Sequence, residues 1–350
     1  MKIPINVKSE TGKRGFCLDK RAYLCYNGEE YGERRGHMQI LTYSDKLYLD
    51  GECVVALGFF DGVHLGHRDM LARAKACAVS KKIPLCVFTF SSESEGLKGG
   101  NGRIYDTETR LSLLEEVQVD IAVVCDFSQV RDLSPDAFVE EILLKRLHAT
   151  TAVCGFNFRY GKNACGNADT LRESMHKHGR ECLVADAFLT EDGEPLSTTK
   201  IKGLLATGET ERANAYLGTP YLIATTVEEG LHLGRSYGIP TLNQPFPKDT
   251  FLPKGGVYRS VAIVDGTVYH AVTNIGVCPT FGERPIHAET FIIGEGFSLY
   301  GKKIKVYLLG YLREEKRFEN AESLKMQILV DKNRAITENG EIQWLATGQN

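Results

Sequence analysis

The sequence predicts an α/β doubly wound parallel sheet, followed by a small antiparallel β-barrel with a C-terminal helix. The first observation is that short apolar runs alternate with helical patterns between residues 53 and 217. The second is a change near residue 220, after which strand-like segments follow one another until a single helical segment. Alternation is typical of parallel α/β sheets, whereas consecutive strands with tight turns are typical of antiparallel barrels.

In the first half, the predicted strands are the runs CVVALG, LCVFTF, DIAVVC, TTAVCG and CLVADAF. Helices are predicted over residues 67–82 and in the segments TRLSLLEEV and SPDAFVEEILLKRL. The last begins with Ser134 as N-cap and Pro135 at the first helical position. Because such sheets bind ligands beyond the carboxyl ends of their strands, a site is expected there.

In the second half, the predicted strands are YLIATTVEE, VYRSVAIVDGTVYHAVTNIG, HAETFIIG and KIKVYLLGYL, and the closing helix is AESLKMQILVDKNRA. Asp265-Gly266 is a hairpin turn signal. The pattern divides the chain into an N-terminal extension of residues 1–37, predicted to be flexible, a domain of residues 38–217 and a domain of residues 218–340.

The composition limits the functional classes. The formal net charge of the 350 residues is -3, so the chain has no overall basic field and nucleic acid is not an expected partner. No apolar run approaches the ~20 residues of a membrane helix, and the N-terminus lacks the apolar core of a signal peptide. The ten cysteines include no Cys-x-x-Cys pair, which favours reduced thiols and a cytoplasmic location. The oligomeric state is not predicted.

Two histidines occur in the stretch GFFDGVHLGH, residues 58–67, at the end of the first predicted strand. Glycines there allow close backbone approach, and the amides at a helix N-terminus favour anions. His64 and His67 would face the same space, the latter from the first helical residue, and could bind nucleotide phosphates. A metal site is the competing interpretation, but no third ligand lies at a suitable spacing.

Two further segments carry candidate chemistry. Ser197, Thr198 and Thr199 offer hydroxyls before a helix, and Lys200 and Lys202 add positive charge. In GLHLGRSYGIPTLN, closely spaced glycines precede a run in which alternation places a threonine hydroxyl and an asparagine amide on one face. Such oxygens suit a hard cation such as Mg²⁺. No Walker A pattern occurs, so a P-loop kinase is disfavoured.

These stretches resemble the bifunctional riboflavin kinase/FMN adenylyltransferase family, the prokaryotic FAD synthetases. GFFDGVHLGH resembles its HxGH nucleotidyltransferase signature, GFNFRYGKNACGNADTL its loop after the fourth strand, and EPLSTTKIKGLLATGETERANAYLGTPY its ISSTRIR segment. GRSYGIPTLN, GVYRSVAIVDG, NIGVCPTFG, AETFIIGEGFSLYG and LREEKRFENAESLKMQILVD follow its riboflavin kinase domain in order. The resemblance covers residues 45 to 335.

The resemblance implies an adenylyltransferase site in the first domain, where His64 and His67 act catalytically on ATP and FMN. It implies that the following residues contact ATP and its phosphates: Gly58, Phe60, Asp61, Gly62, Asn157, Arg159, Ser197, Thr198, Thr199, Lys200 and Lys202.

The resemblance implies a riboflavin kinase site in the second domain, where Glu289 is the general base for the ribityl 5′-hydroxyl. Thr241 and Asn243 would hold Mg²⁺ with ATP. The implied contacts to phosphate or flavin are Gly230, Gly234, Arg235 and Arg313. The substrates and products are riboflavin, FMN, FAD and ATP, all small molecules, and no membrane partner is expected.

The sequence departs from the family pattern in four places. Phe59 replaces the usual Asn, the Asp-Pro-His-Pro segment after the third strand is absent, both arginines of ISSTRIR are lysines, and Asn157 replaces an Asp. The missing Asp-Pro-His-Pro segment and the two lysines motivate the first of three alternatives that stay open. These alternatives are a riboflavin kinase with a degenerate first domain, a non-catalytic flavin-binding regulatory protein, and an HxGH transferase for another substrate.

Overall fold

The computed structural model describes residues 37–94, 102–229, 240–276, 286–294 and 297–339. These ranges contain one parallel and one antiparallel six-stranded sheet. The strands of the first half are β1 (Gln39–Thr42), β2 (Cys53–Leu57), β3 (Leu85–Phe90), β4 (Ile121–Cys125), β5 (Ala149–Gly155), β6 (Arg159–Tyr160), β7 (Gly166–Asn167) and β8 (Glu181–Ala185). The five strands that the sequence predicts in this half are present, and β1 is an additional edge strand.

The parallel sheet has the strand order β1-β4-β3-β2-β5-β8, while β6 and β7 form a separate hairpin. From β2 the chain continues through β3 to one side, and β5 and β8 lie on the other. The order therefore reverses between β2 and β5. In doubly wound sheets ligands bind at this switch point, beyond the carboxyl ends of the strands.

Helices and short helical turns connect these strands. The helices are α1 (Leu65–Lys81), α2 (Thr107–Glu116), α3 (Pro135–Ala137, continued as a π-helical segment over Phe138–Arg146), α4 (Ala168–Lys177), α5 (Thr198–Thr207) and α6 (Thr210–Leu217). The 3₁₀ turns are Asp61–Val63, Phe127–Gln129 and Lys162–Ala164. Ser134 caps α3 as the sequence predicts, because its side chain accepts a hydrogen bond from the amide of Ala137.

The antiparallel sheet is a nearly closed barrel with the order β10-β13-β12-β11-β14-β9. Its elements are β9 (Tyr221–Thr226), β10 (Leu242–Pro245), β11 (Gly256–Val264), β12 (Thr267–Gly276), β13 (His287–Ile292), β14 (Lys303–Arg313) and the closing helix α7 (Ala321–Asn339). The buried Gln244 amide donates to the carbonyls of Thr225, 3.0 Å away, and Ile304, 2.9 Å away, and so ties β10 to β9 and β14. The predicted fold class is confirmed.

The predicted hairpin turn also occurs. Asp265 and Gly266 have φ values of 46° and 79° between β11 and β12. Positive φ at both central positions is the twist that suits a two-residue hairpin, and glycine adopts it without steric cost.

A short linking segment, residues 102–105, joins the parallel sheet to the barrel. Its Arg103 amide donates to the Asp249 carbonyl at 2.8 Å, and the Phe251 amide donates back to the Arg103 carbonyl at 2.6 Å. The hydroxyl of the buried Tyr105 accepts from the amide of Leu222 at 3.2 Å. These hydrogen bonds to the barrel fix the position of the linking segment, which lies beside the predicted adenylyltransferase site.

Candidate active sites

The turn between β2 and α1 is shaped by left-handed backbone conformations. Phe60 has φ 57° and Gly62 has φ 81°. A Cβ on Gly62 would lie 3.1 Å from Ile104 Cδ1, so glycine serves both the conformation and the close approach. Together these residues bend the chain so that the carboxyl end of β2 leads into α1 within one short turn.

The helix after this turn begins at Leu65, two residues before the predicted start at His67. His64 is its N-cap, because its Nδ1 accepts a hydrogen bond from the His67 amide at 3.4 Å. His67 is therefore the third helical residue and not the first. An imidazole that accepts at Nδ1 carries its proton on Nε2, so in this assignment His64 presents an Nε2–H donor.

The two imidazole rings stack on each other. Their centroids lie 3.7 Å apart with 16° between the planes, and the Phe60 ring meets His67 edge-on at 5.4 Å. Burial lowers the pKa of His64 to about 4, and the positive charge of Arg68 adds to that effect. Burial, the neighbouring His64 and then Arg110 hold the pKa of His67 well below its usual range. Both rings are thus neutral at pH 7 and can donate N–H groups to phosphate oxygens without mutual repulsion.

The low pKa of His64 predicts a loss of stability in mild acid. Between pH 6.5 and 4 the unfolded chain binds a proton at His64 that the folded chain does not, so the unfolding free energy falls as the pH falls. The fall accumulates to about 2 kcal/mol between pH 6.5 and pH 5. We expect the urea midpoint of the wild type to fall more between pH 7 and pH 5 than that of His64→Asn, whose amide keeps the cap acceptor. Equal falls in both proteins would contradict this origin.

Asp61 connects the turn to the linking segment. Its carboxylate accepts from the amides of Ile104, at 2.9 Å, and Tyr105, at 3.4 Å, and Lys202 Nζ lies 3.5 Å from it. Burial raises the pKa of Asp61, while Lys202 and the two amides act in the opposite direction. Lys202 also donates to the Gly102 carbonyl. These contacts place Lys202 beside the turn but leave much of its charge neutralised by Asp61.

The N-terminus of α5 meets the same turn. Ser197 caps the helix by accepting from the Lys200 amide at 3.3 Å, and Thr198 Oγ1 donates to the Asp61 carbonyl at 3.4 Å. Lys200 Nζ, in contrast, lies 2.9 Å from both Thr190 Oγ1 and Asp192 Oδ2. The structure therefore brings the predicted Ser-Thr segment to residues 58–64, the histidine turn, and each of its two lysines already forms an internal ion pair.

The remaining predicted residues of this site lie around the same edge of the sheet. Gly58 follows β2 directly, and a Cβ there would lie 3.2 Å from the Phe60 ring. Asn157, Arg159 and Thr199 are exposed; Asn157 lies between β5 and the β6–β7 hairpin, and Arg159 is the first residue of that hairpin. Exposed side chains at the carboxyl end of β5 are available to a ligand at the switch point.

In the barrel, three strands align two of the predicted kinase residues with a third polar side chain. Glu289 on β13 is paired in register with Asn243 on β10 and with Asn274 on β12. Side chains alternate along β13, and Ala288 and Thr290 are buried while Glu289 is half-buried on the opposite face. Burial raises the pKa of Glu289; the neighbouring His287 acts in the opposite direction, and Glu315 adds to the rise. A half-buried carboxylate of raised pKa suits a general base.

Asn274 is a polar residue of this site that no sequence motif identifies. Its Nδ2 donates to Glu315 at 2.9 Å, and its buried Oδ1 has no hydrogen-bond partner within the described ranges. Only strand register, which a single sequence does not give, places this amide next to Glu289. Thr241, half-buried, stands just before β10 and two residues from Asn243. Their hydroxyl and amide oxygens, beside a carboxylate, are the hard donors that Mg²⁺ prefers, so these residues fit the implied ion.

Arg313 makes a forked ion pair with Asp331 on α7. Its Nε lies 3.0 Å and its Nη2 2.7 Å from Asp331 Oδ2, and Asp331 is only 1% exposed. A buried pair of this kind holds the closing helix on the barrel, which is a role that sequence analysis did not assign to Arg313. Gly230, Gly234 and Arg235 lie outside the described residues.

The described ranges lack two further features. They contain no group of three or more His, Cys, Asp or Glu side chains that could hold a metal ion. They also contain no helix that is both long and apolar enough to cross a lipid bilayer.

A parallel sheet with paired histidines at its switch point, followed by a barrel with a carboxylate beside oxygen donors, defines a two-part nucleotide-dependent transferase. Residues 48–200 match the family model of FAD synthetase, and residues 217–338 match that of riboflavin kinase. The chain belongs to the bifunctional riboflavin kinase/FMN adenylyltransferase family. This confirms the predicted family, the predicted enzyme class and its two transferase activities.

Individual relatives agree with this assignment. The chain is 35% identical over 293 residues to the bifunctional riboflavin kinase/FMN adenylyltransferase of Bacillus subtilis. The aligned region covers 81% of this chain and 91% of the relative. The enzyme of the same name from Listeria monocytogenes is 33% identical, with 79% and 90% covered. A solved structure of a protein described as a macrolide-efflux protein from Streptococcus pneumoniae has a TM-score of 0.76 at 25% identity, covering 87% of this chain and 100% of that one.

Proposed function

We propose that the chain makes FAD from riboflavin in two steps, each at its own site and each using ATP. In the barrel, the ribityl 5′-hydroxyl of riboflavin attacks the γ-phosphorus of ATP, its proton passes to Glu289, and ADP leaves with FMN as the second product. The observation that carries this step is the strand register, which pairs Glu289 with Asn243 on one neighbouring strand and with Asn274 on the other. Thr241 and Asn243 would hold the Mg²⁺ that accompanies ATP and offsets the phosphate charge.

In the second step, the FMN phosphate attacks the α-phosphorus of ATP and pyrophosphate leaves. The stacked, neutral imidazoles of His64 and His67 support this assignment, because N–H donors at a helix N-terminus stabilise the charge that develops on the phosphates. Thr198 and Lys202 lie against the same turn. Both reactions are in-line displacements that need no covalent enzyme intermediate.

The partners are therefore small molecules, and the location that the cysteines favour is the cytoplasm. Seven cysteines fall within the described ranges, and all of them are free thiols. Reduced thiols are typical of that compartment.

The test is a time course with riboflavin and Mg-ATP, in which riboflavin, FMN and FAD are separated by chromatography and pyrophosphate is assayed in parallel. We expect FMN to appear before FAD, and pyrophosphate to rise in step with FAD. FMN without pyrophosphate would support a riboflavin kinase alone. No consumption of ATP in the presence of riboflavin would support a binding protein instead.

A further inference from the structure

The residue that replaces the family asparagine, Phe59, lies between two guanidinium groups. Arg110 Cζ stands 4.1 Å and Arg103 Cζ 4.5 Å from the centroid of its ring. Both distances are within the range of cation–π contact, so the ring holds two positive groups at the carboxyl end of β2. Phe59 itself lies at the start of the histidine turn, so both guanidinium groups are held beside that turn.

Arg110 is a positioning residue for this edge of the sheet. It is fully buried, and its guanidinium donates to the Phe59 carbonyl at 2.7 Å and to the Phe90 carbonyl, at the ends of β2 and β3. Its positive charge contributes to the low pKa of His67. The charge of Arg110 therefore acts on His67, but its burial keeps the guanidinium from contacting a ligand at the carboxyl ends of the strands.

Arg103 is placed differently. It is half-buried, and the barrel fixes its backbone through Asp249 and Phe251. Its side chain makes one hydrogen bond within the described ranges, from Nε to the Ser92 carbonyl at 3.4 Å. The two terminal nitrogens have no protein acceptor there, so a fork of donors is available beside the turn.

The local charges make this fork significant. Lys200 is paired with Asp192 and Lys202 with Asp61, which weakens the positive charge that the Ser-Thr-Thr-Lys-Ile-Lys segment offers to a nucleotide. No carboxylate of the described ranges pairs with Arg103 within 4.0 Å. A guanidinium also binds phosphate through two parallel hydrogen bonds, which a lysine cannot do.

We propose that Arg103 binds a phosphate group of a substrate in the adenylyltransferase site, held in place by the Phe59 ring and by the barrel. This inference depends on the proposed adenylyl transfer. The phosphate belongs either to ATP or to FMN, and the Michaelis constants separate these two sources.

The variants are Arg103→Gln and Arg103→Lys, with Arg131→Gln as the matched control, because Arg131 is half-exposed and, among the described residues, forms an ion pair only with its neighbour Asp132. FMN adenylylation is followed by pyrophosphate release, and KM is measured separately for ATP and for FMN. We expect Arg103→Gln to raise one of the two KM values by about 10- to 100-fold, the effect of a lost charged hydrogen bond. Arg103→Lys should recover part of that loss, and the riboflavin kinase rate should stay unchanged in both.

A rise in KM for ATP assigns Arg103 to the ATP phosphates, and a rise in KM for FMN assigns it to the FMN phosphate. Unchanged KM values in Arg103→Gln would overturn the inference, as would an equal loss of both enzyme activities with a lowered thermal midpoint in Arg103→Lys. A wild type that releases no pyrophosphate from FMN and ATP would overturn the proposed function instead. Calorimetric titration of wild type and Arg103→Gln with inorganic pyrophosphate then still tests whether Arg103 binds phosphate.

Discussion

Glu289→Gln is expected to lower the rate of riboflavin phosphorylation by about 10²- to 10⁴-fold, the usual contribution of a general base. Glutamine has nearly the shape of the carboxylate and can still accept a hydrogen bond, but it cannot take the proton of the attacking hydroxyl. The raised pKa of Glu289, caused first by burial, means that this carboxylate is better matched to proton transfer near neutral pH than an exposed one. The measurement is the initial rate of FMN formation from riboflavin and Mg-ATP.

The same variant supplied with FMN is expected to form FAD at the wild-type rate, because the histidine turn belongs to the other sheet. Glu319→Gln is the matched control, since Glu319 is exposed and lies after β14. Its FMN formation should equal that of the wild type. If Glu289→Gln retains riboflavin phosphorylation within a few-fold of the wild type, another group accepts the proton and the assignment of Glu289 is wrong.

The architecture was accessible from sequence because its main elements obey simple periodicities. Buried parallel strands are short continuous apolar runs, and β2, whose five residues are all buried, is a clear case. The edge strand β1 was missed because its four residues are mostly exposed and carry no such run. The start of α1 was misplaced because Gly66 is a poor helix former, and the histidine cap that compensates for it is an unusual one.

The same distinction between local pattern and tertiary contact applies to the site residues. Residues within one motif, such as His64 and His67, could be predicted because a single turn brings them together. Asn274 could not, since its place beside Glu289 is set by the register of separate strands. Arg103 could not either, because its position depends on contacts with Asp249 and Phe251 far along the chain. The internal ion pairs of the two predicted phosphate lysines are likewise tertiary properties.

His64→Asn is expected to lower FMN adenylylation by about 10²- to 10³-fold, the cost of removing one preorganised donor from a developing phosphate charge. Asparagine is chosen because its side-chain oxygen can replace Nδ1 as acceptor for the His67 amide, so the cap of α1 is kept. What the substitution removes is the Nε2–H group. Riboflavin phosphorylation should continue, and a time course from riboflavin and Mg-ATP should therefore stop at FMN.

The control is His178→Asn, because that imidazole is partly exposed and only approaches Glu140, at 3.5 Å. It should leave both activities unchanged, whereas His64→Asn should change only the second. Because the two rings are stacked, loss of His64 also removes one of the influences that hold the pKa of His67 low. In the pH profile of the adenylylation rate, the acid limb of His64→Asn is therefore expected to lie at higher pH than that of the wild type. Adenylylation at the wild-type rate in His64→Asn would show that the phosphates are bound elsewhere on the sheet, while a parallel loss of kinase activity would show that the two sites act as one.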